Sequence, residues 1–504
     1  MRIDWMEEAR RRQNSLLRDL SSLLAIPSVK NEAAVGPGAP LGVESARALK
    51  RMLGLAEREG LRIANIEGIV GYADYDGRRS AAEETVGADR PDDYIAVLSH
   101  VDVVPASGEW TTPPFEAAVR NGRLYARGAL DDKGPTMAAF YGLLIVKELG
   151  LPLRHRVRLI FGTDEETGMS CMDAYNRLER PPLAGFTPDA DFPIVHAEKG
   201  QVNTRMTLKL SGSGSEDRVR LRGFRSGTAA NMVPDSAEAF VGGSPDELAS
   251  VAAAYRSYCA ERGLSGSAAA DPQRPEGATM LLRMEGKSAH GMAPETGVNA
   301  GLLLLQFLDT QPLGGDDERF VHAAVELLAA ESSGEALGIA CRDDTTGALT
   351  VNVGLLRYAP GENEAFFHLN IRFPACADGD RLLATLDVKL RPYGFHLAET
   401  VVKPPHEVPA SHPMIGALQR VYTEQTGQPA DLLSTGGGTY ACKLPGCVAF
   451  GPLFPGEEDT AHQPDESISV DSLLRATALY AQAIYELANV DYEKGGVSDE
   501  SGHR

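Results

Sequence analysis

No stretch of this 504-residue chain approaches the ~20 consecutive apolar residues that a membrane-spanning helix needs. Its charged start, MRIDWMEEARRRQ, also lacks the apolar core of a secretion signal. A basic surplus is missing as well. Lys and Arg number 49 against 70 Asp and Glu, a formal net charge of −21, which speaks against nucleic acid and anionic membranes as partners. The six cysteines (171, 259, 341, 376, 442 and 447) form no CxxC pair, and in a large chain without a secretion signal they are expected as reduced thiols. The expectation is a soluble cytoplasmic protein. Several catalytic signatures are absent too. GKS at 286–288 follows Leu281 where a phosphate loop needs glycine, and HEVPA at 406–410 lacks the second histidine of HExxH. No GxSxG elbow and no helix-opening GxGxxG occurs.

What the chain does have is regular alternation of strand-like and helix-like segments. Leu16, Leu17, Leu20, Leu23 and Leu24 share one face of a helix over 6–24, and residues 43–58 repeat the pattern. The runs Tyr94–Leu98 and Val157–Phe161 read as strands, and Pro135–Leu149 as a helix. Such alternation predicts an α/β catalytic domain with a central, mostly parallel sheet flanked by helices. From about residue 200 the texture changes to alternating segments (LTVNVGLLRY, AFFHLNIRFP) and helices near 245–262, 297–309 and 318–331. This predicts an inserted α+β lid domain. The expected division is 1–199 and 405–493 for the catalytic domain, 200–404 for the lid and 494–504 for a flexible tail. The Pro-rich strip 401–413 reads as the return linker, leading to a helix Met414–Gln425. The polar stretches 76–93 and 489–504 read as a mobile loop and a frayed end.

Acidic and imidazole side chains gather at the ends of the apolar runs: His100 and Asp102 in LSHVDVVP, Asp131 in RGALDDKGP, Glu165 and Glu166 in FGTDEET, and Asp189 in TPDADFP. His462 in DTAHQPDE joins them from far downstream. Open α/β sheets place their sites beyond the carboxyl ends of the strands, where these residues fall. Each fragment has an ordinary reading. Asp131 or Asp132 would cap a helix, the Glu pair would favour a helix start, Asp189 would form a turn and His462 would be an exposed loop histidine. Their ordered combination argues otherwise, because five carboxylates in one pocket repel one another unless cations sit between them. The triple glycine 436–438 is either a flexible turn or a set of backbone N–H groups offered to an anion.

Together with GEWTTPPF, NMVPDSA, GKSAHGMAPETGVNA, LNIRFP and STGGGTYA, these motifs resemble the metallopeptidase family of aminoacylases, carboxypeptidase G and succinyl-diaminopimelate desuccinylase. The likeness spans roughly 10–490 and is greatest to dipeptidase V and the carnosinase-like Xaa-His dipeptidases. The resemblance implies two divalent ions, zinc first, with manganese or cobalt tolerated by the same ligands. It assigns one ion to His100, Asp131 and Asp189 and the other to Asp131, Glu166 and His462, with a cis bond after the bridging Asp131. Asp102 would orient His100, Glu165 would be the general base, and His290 would stabilise the oxyanion. Asn231, Arg372 and Gly436, Gly437 and Gly438 would anchor substrate. Three ligand carboxylates against two dications leave one positive charge, which a bridging hydroxide neutralises. Departures are Ser99 where many relatives have glycine, aspartate rather than glutamate at 189, and a longer 76–93 loop. The implied activity is hydrolysis of dipeptides with a free C-terminal carboxylate, assembled by lid closure. A monomer would suffice, and a homodimer is the variant arrangement. The rival readings are an N-acyl-amino-acid deacylase of the same fold and a non-catalytic binding protein that keeps the scaffold.

Overall fold

The computed structural model describes residues 3–77, 93–212, 219–270 and 279–492. Most of the 76–93 loop and most of the 489–504 stretch therefore lie outside the described residues. The chain divides into two compact units. The first comprises residues up to Ala197, Glu407–Ser434 and Gly438 onward, and the second comprises Glu198–His406 with Thr435–Gly437.

The first unit is built on a mixed sheet. Strands Arg156–Gly162, Tyr94–His100, Ala184–Thr187 and Cys447–Ala449 lie side by side and parallel. Strand Val70–Tyr75 adds antiparallel to Arg156–Gly162, and Arg62–Ile66 adds antiparallel to Val70–Tyr75. The expected parallel centre is there, while the edges run the other way. Every residue of Tyr94–His100 is buried, as a strand covered on both faces requires.

Helix Trp5–Leu24 begins where the Asp4 carboxylate accepts the Glu7 N–H, and it buries Leu16, Leu20, Leu23 and Leu24, with Leu17 half-buried. Helix Val43–Arg58 buries Leu49, Met52, Leu53 and Ala56. Helix Lys133–Glu148 is buried over nearly its whole length and packs against helix Val470–Leu487. The crossing is close because Gly142 has no side chain: a Cβ there would lie 2.9 Å from the Ala481 nitrogen. Burying so much apolar surface, at about 25 cal/mol per Å², anchors the loops that leave the parallel strands.

The second unit carries an eight-stranded sheet whose neighbours pair antiparallel, in the order Gly266–Ala270, Thr279–Glu285, Ser236–Gly242, Arg220–Ser226, Thr350–Ala359, Glu364–Phe373, Gly200–Leu208, Phe395–Lys403. Strict alternation of burial along Gly200–Leu208 puts Val202, Met206 and Leu208 in a core shared with Leu304, Phe320 and Leu386 from three helices. Strand Phe395–Lys403 runs into the Pro-rich strip, so Val401 and Val402 are paired in the sheet. Helix Pro413–Thr426 follows, with the His412 side chain accepting the Met414 N–H.

Candidate metal centre

The site grows from the ends of three parallel strands. His100 is the last residue of Tyr94–His100, and its side chain is only 1% exposed. Its backbone N–H donates to Asp132 Oδ2 at 3.1 Å, and its carbonyl accepts the Thr136 hydroxyl at 3.2 Å. The ring Nδ1 lies 3.1 Å from the Asp102 carbonyl oxygen, with the Asp102 carboxylate at 3.5 Å. A carbonyl only accepts, so Nδ1 carries a hydrogen, which leaves Nε2 as the nitrogen that a cation would take once its proton is displaced. That nitrogen faces Asp131 Oδ1 at 3.0 Å and Asp189 Oδ2 at 3.7 Å.

His462, in a left-handed backbone conformation, faces the same carboxylate from the other side. Its Nε2 is 2.9 Å from Asp131 Oδ2 and 3.0 Å from Glu166 Oε2. Asp131 thus stands between two imidazoles, one on each oxygen. The Asp131–Asp132 peptide is cis. Glu165 and Glu166 occupy a turn just beyond strand Arg156–Gly162, and Asp189 follows strand Ala184–Thr187. Among the described residues, two sets of side chains place ligand atoms within 4.8 Å of one another: His100, Asp131 and Glu166, and His100, Glu165 and Asp189.

The electrostatics of this cluster are unfavourable as it stands. Burial, then Asp189, pushes the Glu165 carboxyl well above its ordinary range. Burial and Asp131 move Glu166 up to about 7. The His462 imidazole is raised to about 11 by Asp131 and Glu166. Asp131 itself is held low: burial pushes it up, but the imidazoles of His100 and His462 outweigh this. Among the described residues, buried Asp102 Oδ1, Asp132 Oδ1 and Glu166 Oε1 have no hydrogen-bond partner. A mixed imidazole and carboxylate set in which the Glu166 ligand oxygen is buried without a partner is what divalent cations satisfy, so the residues present fit a metal pair.

Glu166 folded near 7 against an ordinary 4.5 means the metal-free fold holds a proton that the unfolded chain has released. Its contribution to stability is present at low pH and is lost as pH rises through about 7. A cation must displace that proton. Metal-induced stabilisation, read as the difference in Tm with and without Zn²⁺, should therefore grow between pH 5 and pH 8. A difference that stays constant would contradict this account of the cluster.

Neighbouring groups that sequence reasoning missed hold the ligands in place. Asp132, expected at most to cap a helix, makes no cap bond and instead accepts the His100 N–H and the Thr136 hydroxyl. Asp164 pairs with Lys30 at 3.0 Å and accepts the Ser170 N–H, closing the turn that presents Glu165 and Glu166. Tyr440 packs edge-on to His100 with ring centroids 6.1 Å apart, and only glycine fits at 162, where a Cβ would meet its hydroxyl. The one available signal was position beside a motif.

The remaining expected residues lie chiefly in the second unit. Arg372 is 5% exposed and donates to Asn370 Oδ1 at 3.0 Å and the Gly436 carbonyl at 2.9 Å. Burial alone lowers its pKa to about 10, and among the described residues no carboxylate pairs with it. His290 and Asn231 are exposed and adjacent: Met232 bridges His290, and the Asn231 carbonyl accepts the Gly291 N–H. The Gly437 N–H donates to Thr435 Oγ1, and Gly436 packs on Met292. Gly438 falls in the first unit.

A family model for peptidase family M20/M25/M40 matches residues 96–486, a span that holds every ligand candidate from His100 to His462. The chain belongs to that family. It is an enzyme of the peptidase class, and relatives 35–44% identical match 96% of it. The Bacillus subtilis (strain 168) protein named "Putative dipeptidase YtjP" is 44% identical over 486 residues, covering 96% of this chain and 100% of that one. The Staphylococcus aureus (strain N315) protein named "Putative dipeptidase SA1572" is 35% identical over 484 residues, covering 96% of this chain and 99% of that one. The fold is shared with human carnosine dipeptidase 1, at TM-score 0.55 and 14% identity over 96% of this chain and 98% of that one. It is likewise shared with aminoacylhistidine dipeptidase from Vibrio alginolyticus, at TM-score 0.56 and 14% identity over 94% and 96%.

Proposed function

We propose that this M20/M25/M40 enzyme is a dinuclear metal-dependent dipeptidase that hydrolyses the amide bond of dipeptides bearing a free C-terminal carboxylate. The dipeptidase names of the relatives and of the fold neighbours support the substrate class. The observation that carries the reading is the ligand cluster of the first unit, where His100 and His462 face the two oxygens of Asp131; in the second unit, Arg372 is buried with no carboxylate partner among the described residues. A buried unpaired guanidinium is costly unless an anion arrives with the substrate, and its planar fork matches a carboxylate.

His100, Asp131 and Asp189 would hold one divalent ion, and Asp131, Glu166 and His462 the other, with zinc suited to this donor set. Bound there, such ions lower the pKa of water toward ~7 and polarise a carbonyl. Glu165 takes the proton of the attacking water and delivers it to the leaving amine, a use its raised pKa favours. Asp102 keeps the His100 Nδ1 hydrogen in place. His290 donates to the oxyanion, and Asn231, Arg372 and the 436–438 glycines anchor the substrate. We assign the enzyme to the cytoplasm on its six cysteines, all of which stand as thiols, and we expect a monomer. No helix among the described residues is long and apolar enough to cross a membrane.

Amine release from a panel of dipeptides, acetyl- and succinyl-amino acids and longer peptides tests the proposal, using metal-stripped protein and protein refilled with Zn²⁺, Mn²⁺ or Co²⁺. Metal-dependent cleavage of dipeptides above the other classes is expected. Preference for acyl-amino acids would make it a deacylase, and ligand uptake without amine release a binding protein. Arg372→Lys should raise KM for dipeptides by on the order of tenfold or more, because lysine cannot copy a bidentate charged contact.

A further inference from the structure

One buried ion pair beside the metal ligands has no role in the chemistry above. Glu466 is 0% exposed and Arg127 1% exposed at the side chain, and Arg127 Nη1 donates to Glu466 Oε2 at 2.6 Å. Glu466 accepts three further bonds, all from the loop that carries Asp131. The Gly128 N–H reaches Oε2 at 3.1 Å, while the N–H groups of Leu130 and Asp131 reach Oε1 at 2.8 and 3.0 Å. The Glu466 carbonyl accepts the Ala126 N–H at 3.1 Å, so the loop is held from both ends. The other arm of the guanidinium, Nη2, donates to the His462 carbonyl at 3.3 Å and the Pro105 carbonyl at 3.4 Å.

A carboxylate taken wholly out of water is tolerated when charge-assisted donors surround it, and here four do. They are not spread over the core. Between them Glu466 and Arg127 grip the backbone of Asp131 and of His462, two proposed ligands that lie far apart in sequence. Asp131 must present one oxygen to each imidazole, so a small rotation of its backbone would spoil both ion sites at once.

We infer that Glu466, acting with Arg127, is a positioning residue that sets the Asp131 carboxylate and the His462 imidazole at the spacing a pair of divalent ions requires. The inference rests on the metal reading of the site. Loss of such outer partners typically weakens metal affinity about 10–100-fold.

The test is a chelator-competition titration of the full chain with Zn²⁺ and Mn²⁺, with bound ions counted by mass spectrometry. It compares the unaltered protein, Glu466→Gln and Arg127→Lys. Arg127→Lys keeps the positive charge but cannot span Glu466 and the His462 carbonyl together. Both variants are expected to bind at least one ion about 10–100-fold more weakly, to lose kcat at limiting metal, and to recover it at excess metal with KM unchanged. Wild-type ion affinity in folded variants, with only Tm lowered, would overturn the inference in favour of a purely structural pair. Should Glu466→Gln not fold, Arg127→Lys decides by the same titration, and failure of both to fold also assigns the pair to the scaffold. If the unaltered protein binds no pair of ions, the metal reading itself is what fails.

Discussion

Glu165→Gln should lower kcat by about 10²–10⁴ while both metal ions stay bound and KM for dipeptides changes little. Glutamine keeps the shape of the side chain and cannot take a proton from water. Burial and the Asp189 carboxylate hold the Glu165 carboxyl above its usual range, the direction that suits a group that must alternately accept and release a proton. The same experiment separates two roles. Glu165 lies within ligand distance of His100 and Asp189, so a ligand role would show as loss of an ion from the Gln variant. Ion counting alongside steady-state kinetics decides between them. A kcat within tenfold of the unaltered enzyme would remove Glu165 from the chemistry.

Asp131→Asn should cost more. Its two oxygens lie 3.0 Å from His100 Nε2 and 2.9 Å from His462 Nε2, so a single neutral substitution removes an anion from both proposed ion sites. We expect fewer than one ion per chain and activity at least about 10³ lower, since several kcal/mol of transition-state stabilisation disappear and each 1.36 kcal/mol is tenfold. His462→Ala is the internal reference. It removes a ligand from one site only and should retain about one ion. If Asp131→Asn kept two ions at unaltered affinity, the carboxylate would not bridge, and the site would have to be rebuilt around Glu166 and Asp189.

The fold was legible wherever the pattern was local. The leucines of Trp5–Leu24 and the apolar stripe of Val43–Arg58 repeat at the helical period, and the continuous run Tyr94–His100 announces a strand covered on both faces. Strand direction was not legible at the sheet's edge. Nothing in Arg62–Ile66 or Val70–Tyr75 states that they pair antiparallel beside a parallel centre, because direction depends on which distant strand they meet. The strip 401–413 does contain the return from the second unit to the first, between His406 and Glu407, but its start is not a linker: Val401 and Val402, three and two residues upstream of the first proline, find partners on Gly200–Leu208.

For the site, residue types were determined by the chain itself. Imidazoles and carboxylates follow strand-like runs, and that alone placed His100, Asp131, Glu165, Glu166, Asp189 and His462 in one argument. Only the tertiary structure decided which oxygen meets which nitrogen, that the Asp102 carbonyl lies nearer the His100 ring than its carboxylate does, and that among the described residues Arg372 has no carboxylate beside it. It also decided that Glu466 closes on the amide of Asp131. The physical reason is common to all of these. Periodicity and turn chemistry act over a few residues, whereas desolvation and hydrogen-bond satisfaction are settled by whatever the packed core brings into contact, regardless of separation along the chain.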